Sequence, residues 1–161
     1  MKKTINQFVI IVLVAIIGFS ITACKDSGDS SPNFLDEFDL TKGIPPNALL
    51  NNVGLADESL NSIATGAGYL GYEYDADDLS LFLLFTGKTK ADYYSMKTLL
   101  ATTTGGTLTN EDTDDDEFWE ARWEYNTDYV CNLEILLADY KRDDGVIIPK
   151  GTMWITLWYH G

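Results

Sequence analysis

Phe118-Trp119-Glu120-Ala121-Arg122-Trp123-Glu124-Tyr125 is the stretch that decides the fold. Trp119, Ala121, Trp123 and Tyr125 fall on one side of an extended chain, and Phe118, Glu120, Arg122 and Glu124 fall on the other. Alternation with a period of two marks a β-strand with one buried and one wet face. Upstream, Tyr69 to Tyr74 and Leu79 to Phe85 are short aromatic and aliphatic runs joined by Asp75-Ala76-Asp77-Asp78, which reads as a hairpin. Thr89 and Asp92 have the spacing of a capping box, with Asp in place of the preferred Glu. Tyr93, Met96, Leu99, Leu100 and Thr103 line one side of the helix that follows, which stops before Gly105-Gly106.

Leu108 begins a short strand, Tyr129 to Tyr140 a longer one, and Thr152 to Tyr159 the last. Asp144-Gly145 supplies a tight turn with positive φ. Ahead of all these, Asn47 to Val53 has the makings of a short helix closed by Gly54. Two strands, one helix, then three or four strands predict an α+β single domain, mainly an antiparallel sheet with one principal helix, about residues 89–104, packed on one face.

The N-terminus has a different grammar. Lys2-Lys3 precedes an uncharged apolar run from Phe8 to Phe19, and Ile21-Thr22-Ala23-Cys24 follows it. The run is shorter than the roughly 20 residues of a membrane-spanning helix, and its charged start and small-residue end are those of an export signal. Ile21 sits where ordinary signal cleavage wants a small side chain, whereas a lipobox wants a branched aliphatic there. The segment therefore resembles the signal peptide of bacterial lipoproteins, which implies cleavage before Cys24 and lipidation of its thiol and freed amine. Two or three acyl chains, at about 0.8 kcal/mol per buried CH₂, anchor stably where one binds marginally. The organisation expected is a signal peptide over 1–23, a lipidated Cys24 and polar tether over 24–33, and a folded domain over 34–161. Lys25, rather than Asp, after the cysteine favours the outer membrane in a Gram-negative envelope, by the same resemblance. The last hundred residues resemble small envelope lipoproteins in which a helix with a Tyr-rich start, here Ala91-Asp92-Tyr93-Tyr94, divides two sets of strands.

Without residues 1–23, 9 basic and 25 acidic side chains remain, a net charge of −16. Such a chain repels phosphate backbones, so no nucleic-acid partner is expected. The expected membrane contact is the lipid on Cys24, with a protein or glycan as the possible partner. Cys131 would be left without an intrachain disulfide partner and reads as a small buried hydrophobe.

Catalytic signatures are scarce. The single histidine, His160, is second from the end, and no Gly-x-Ser-x-Gly string is present. No cofactor is expected. Paired carboxylates could support a hydrolase, but with 25 acids some pair lies close by chance and no pattern picks one out. In the run Glu111-Asp112-Thr113-Asp114-Asp115-Asp116-Glu117, Asp112, Asp114 and Asp116 have the alternate spacing of a calcium loop. Glu117 then stands where the sharp turn needs Gly, and Trp123 where the bidentate Glu belongs, so an extended solvated loop is the plainer reading.

The last strand has two faces: Met153, Ile155, Leu157 and Tyr159 on one, Trp154, Thr156, Trp158 and His160 on the other. If the helix covers the aliphatic face, Trp154 and Trp158, joined by Trp119, Trp123 and Tyr125, could form an exposed aromatic platform for a ligand. The competing expectation is that a second layer from residues 34–68 buries these rings as core. The sequence thus favours a non-enzymatic, lipid-anchored binding domain. A carboxylate-based envelope hydrolase and an acidic decoy for a cationic protein are the alternatives.

Overall fold

Local chemistry starts and stops the principal helix. In the computed structural model, which describes residues 33–161, Thr89 and Asp92 close a capping box: the Thr89 N–H donates to Asp92 Oδ2 at 2.8 Å, and the Asp92 N–H donates to Thr89 Oγ1 at 3.3 Å. This satisfies N–H groups that the first turn leaves without a partner. Gly105 ends the helix in the left-handed conformation at φ +62°, which costs glycine little. The helix spans Lys90–Thr104. It is preceded by a short helix, α1, at Asn47–Asn52, and is called α2 below.

Among the described residues two strands precede the helix, as expected, and six follow it where three or four were expected: β1 Tyr69–Asp75, β2 Ser80–Phe85, β3 Thr107–Asp112, β4 Phe118–Tyr125, β5 Tyr129–Leu136, β6 Tyr140–Lys141, β7 Ile147–Ile148 and β8 Met153–Tyr159. Six of them form an antiparallel sheet in the order β1-β2-β8-β5-β4-β3, and β6 and β7 pair as a separate ribbon. The α+β reading, one antiparallel sheet with one main helix against it, holds.

The acidic turn between β1 and β2 forms because Asp75 Oδ1 accepts the N–H groups of Asp77 and Asp78, an Asx turn. Gly68, at φ +80°, is held where an added Cβ would lie 2.2 Å from the Thr86 carbonyl oxygen. Asn126 and Thr127, both at positive φ, turn β4 into β5. Asn126 is tied down by donating its side-chain amide to the Gly54 carbonyl at 2.7 Å.

The expected strand Tyr129–Tyr140 is shorter than its hydrophobic pattern. Pairing with β4 and β8 stops at Leu136, where the Leu137 N–H turns to the Glu117 carbonyl and Asp139 accepts the Lys150 N–H. The chain then makes the β6–β7 ribbon before returning as β8, with Gly145 at φ +92° in its turn.

The core lies on the side of the sheet facing α2. Met153, Ile155 and Leu157 of β8 join Cys131, Leu133 and Ile135 of β5, Tyr93 and Leu100 of α2, and Leu50, Val53, Leu55, Leu60 and Ile63 from α1 and the turns after it. The layer built from residues 47–64 therefore shares the helix side. Residues 39–161 pack as one compact unit. Phe34–Glu37, before it, is a 3-10 turn in which Asn33 accepts the Leu35 N–H, and the Phe34 and Phe38 rings meet edge to face.

Candidate functional site

Antiparallel register turns residues distant in sequence into rows across the sheet. On the face opposite α2, one row reads Leu84, Trp154, Glu134, Glu120, Asp112 from β2 through β8, β5 and β4 to β3. The next reads Phe82, Thr156, Asn132, Arg122, Asn110, and the third Ser80, Trp158, Val130, Glu124, with Thr107 at its end. Directly opposed residues have Cβ atoms about 4.5–5.5 Å apart, so neighbours in a row interact.

Glu134 is the unusual member. It is 4 % exposed, and its Oε2 accepts the Trp154 indole N–H. Burial pushes its carboxyl up to about 8; the indole bond works against the rise, and the negative charge of Glu120 adds to it. Glu120 is half-buried and also raised, by burial first and then by repulsion from Asp112. The Asn110 amide, donating to Glu120 Oε1 at 2.8 Å, and the charge of Arg122 pull the other way. Glu134 is therefore mostly protonated at neutral pH. Beside this pair, Asn132 Oδ1 is shut from solvent and has no hydrogen-bond partner among the described residues. The Arg122 guanidinium lies 5.5 Å from the centre of the Trp158 ring, a cation–π contact, and forms no ion pair with these acids.

The aromatic platform is corrected by the register. Trp123 stands opposite Cys131, which stands opposite Leu157, and Trp119 stands opposite Ile135 and then Met153. Trp119, Trp123 and Tyr125 thus belong to the helix side and are 6, 1 and 3 % exposed. Tyr125 donates its hydroxyl to the Val53 carbonyl at 2.5 Å, and Trp119 meets Tyr93 edge to face at 5.5 Å. Trp154 does lie on the opposite face, as expected, but it is 5 % exposed, tilted against Phe118 and bonded to Glu134. Of the five rings, Trp158 alone is half-exposed.

The acidic run divides in two. Glu111 and Asp112 end β3, and Glu111 pairs with Lys97 of α2 at 2.5 Å. Asp112 Oδ1 accepts the Asp114 N–H and Asp115 Oδ1 the Glu117 N–H, so these side chains shape the loop. Asp112, Asp114 and Asp116 do not converge: among the described residues no group of three or more His, Cys, Asp or Glu side chains is arranged to hold a metal ion.

Cys131 is fully buried in the core, and burial pushes its thiol well above the ordinary range. The expected signal peptide, the lipidation site Cys24 and the tether lie outside the described residues, apart from Asn33 at the tether's end. Sequence reasoning did not single out Glu134, Asn132 or Arg122. The only available signal was Glu134 itself, an acid inside the apolar run Val130–Leu137.

Compared with known proteins, the chain matches no family model, no curated protein and no solved structure.

Proposed function

We propose that this protein is a lipid-anchored envelope lipoprotein whose folded domain binds a ligand on the sheet face opposite α2 and is not an enzyme. The observation that carries the binding reading is a half-exposed indole, Trp158, beside unused hydrogen-bonding capacity at Asn132 Oδ1. A flat apolar surface next to a few polar groups is how binding sites gain affinity and orientation together. The lipid anchor rests on the Ile21-Thr22-Ala23-Cys24 motif, at the membrane side of a polar stretch ending at Asn33.

Two expected outcomes test the two halves. In bacteria expressing the full chain, labelled palmitate enters the wild-type protein and is lost from Cys24→Ser; equal labelling of both would overturn the anchor. In a panel of neutral oligosaccharides, peptidoglycan fragments and amines, followed by calorimetry and tryptophan fluorescence, Trp158→Ala weakens binding at least about tenfold while the variant stays folded, with a cooperative urea transition. Unchanged affinity in that variant would remove the binding face.

One observation favours a hydrolase as the second reading. Glu134 and Glu120 are cross-strand neighbours in unlike environments, one buried and protonated, the other half-exposed, a division of roles that acid–base chemistry uses. Product release from the same glycan panel, abolished in Glu120→Gln, would establish it in place of binding alone.

A further inference from the structure

We propose that the outer edge of β3 takes up an extended, basic segment of a partner protein as a further strand of the sheet. This surface is separate from the Trp158 face: β3 is an edge strand, and Trp158 lies on the central β8. The two edges of the sheet are finished in opposite ways. At β1 the edge is closed. The Thr41 N–H donates to the Tyr72 carbonyl at 2.8 Å, the Tyr72 N–H donates to the Thr41 carbonyl at 2.9 Å, and Lys42 Nζ donates to the Leu70 carbonyl at 2.7 Å. Gly71 lets that segment approach, since an added Cβ would lie 2.6 Å from the Thr41 carbonyl oxygen. At β3 no segment among the described residues plays this part. Its backbone pairs with β4 on one side only, and all its residues, Thr107–Asp112, are exposed.

An antiparallel strand turns alternate N–H and C=O groups to each side. The open side of β3 therefore presents a row of backbone donors and acceptors to solvent. What matches such a row is another extended backbone, and strand addition uses it for binding.

The row accepts any extended chain, and the side chains select among them. From Thr107 to Glu117 there are six acids and no base. Lys97 of α2 neutralises Glu111. The five acids between Asp112 and Glu117 form no ion pair among the described residues; they end β3 and fill the loop that leaves it. Charge and a bulge are common guards of a sheet edge, and β3 has both, with an extra residue at Thr109. A guard of one sign repels only partners of that sign. A second copy, with a net charge of −14, brings more negative charge to the edge. Lysines or arginines on an extended segment bring the opposite charge within reach of Asp112 and the loop after it.

The probe is a short peptide of alternating lysine and valine, with a glutamate–valine peptide as its charge-reversed match. Calorimetry gives the affinity, and amide hydrogen exchange read by NMR gives the place. The lysine–valine peptide binds and the glutamate–valine peptide does not. In the complex, outward-facing amides of residues 107–112 exchange slower by about tenfold or more, while those of β1 are unchanged. Asp114→Asn, Asp115→Asn and Asp116→Asn combined weaken binding about tenfold, and so does raising the salt from about 0.05 M to about 0.5 M. Trp158→Ala leaves the affinity unchanged, which tells this edge apart from the ligand face proposed above. Absence of binding by the lysine–valine peptide, equal binding of the two peptides, or binding without protection at β3 would overturn the proposal. So would self-association of the free protein in sedimentation equilibrium with the β3 amides already protected, because the edge then belongs to a second copy.

Discussion

Glu134→Gln leaves the domain about as stable as wild type near pH 4.5 and makes it more stable by about 4 kcal/mol at pH 8 and above. The cause is the rise of the Glu134 carboxyl from the ordinary 4.5 to about 8 by burial. Between those two values the folded state keeps a proton that the unfolded chain has released. The stability linked to that proton is complete below the unfolded pKa and is lost as pH rises through the folded one. Each unit of separation is worth about 1.4 kcal/mol, so a separation near three units gives the size of the effect. Gln keeps the neutral shape and an oxygen for the Trp154 indole, and it has no charge to desolvate. Urea unfolding of both proteins at pH 4.5, 6, 7, 8 and 9 measures this as a difference that opens with pH and then levels off. Two parallel curves would mean that Glu134 is not the buried neutral acid described above.

The second large effect is in the core. Trp123→Ala costs about 3–5 kcal/mol, the range for removing a large aromatic side chain that the surroundings cannot collapse to fill. Trp123 is 1 % exposed and belongs to the cluster that contains Cys131, Leu133, Leu157 and Leu100. On the opposite face, Trp158 keeps part of its surface in solvent, so truncating it removes less buried area and costs less than Trp123→Ala. Denaturant midpoints of the two variants therefore separate the faces of the sheet by energy. Equal losses would contradict the register that places Trp123 with the helix and Trp158 away from it.

The contrast between these two tryptophans shows how far the sequence could be read. Within each element the signals are local and they held. Thr89, Asp92 and Gly105 bound the helix within a residue of its observed ends, and alternation along 118–125 separated Trp119, Trp123 and Tyr125 from Glu120, Arg122 and Glu124. The two sides of the last strand were equally legible, and the helix does cover the aliphatic one. What alternation leaves open is which side of one strand shares a face with which side of another. That depends on pairing between β4, β5 and β8, fixed by contacts between residues up to 30 positions apart, and a one-residue change of register reverses the answer. The five aromatics were grouped without that information, and so divide between two faces.

The same reason hid the carboxyl pair. Glu120, Glu134 and Trp154 carry no spacing motif, because they meet across three strands. In the acidic run, charge repulsion argued for a solvated loop throughout, yet pairing with β4 draws Glu111 and Asp112 into β3. Backbone hydrogen bonds with a neighbouring strand outweighed the local preference there.

The place of β8 in the sheet has a consequence for how the chain assembles. Residues 153–159 enter between β2 and β5, with Leu83 and Leu133 flanking Ile155 from either side. Before β8 arrives, β1 with β2 and β3 with β4 and β5 can exist only as two unconnected ribbons, each with a bare edge. Synthesis proceeds from the N-terminus, so the growing polypeptide cannot close its central pairing early. The two halves wait for a common partner that follows both of them in the chain.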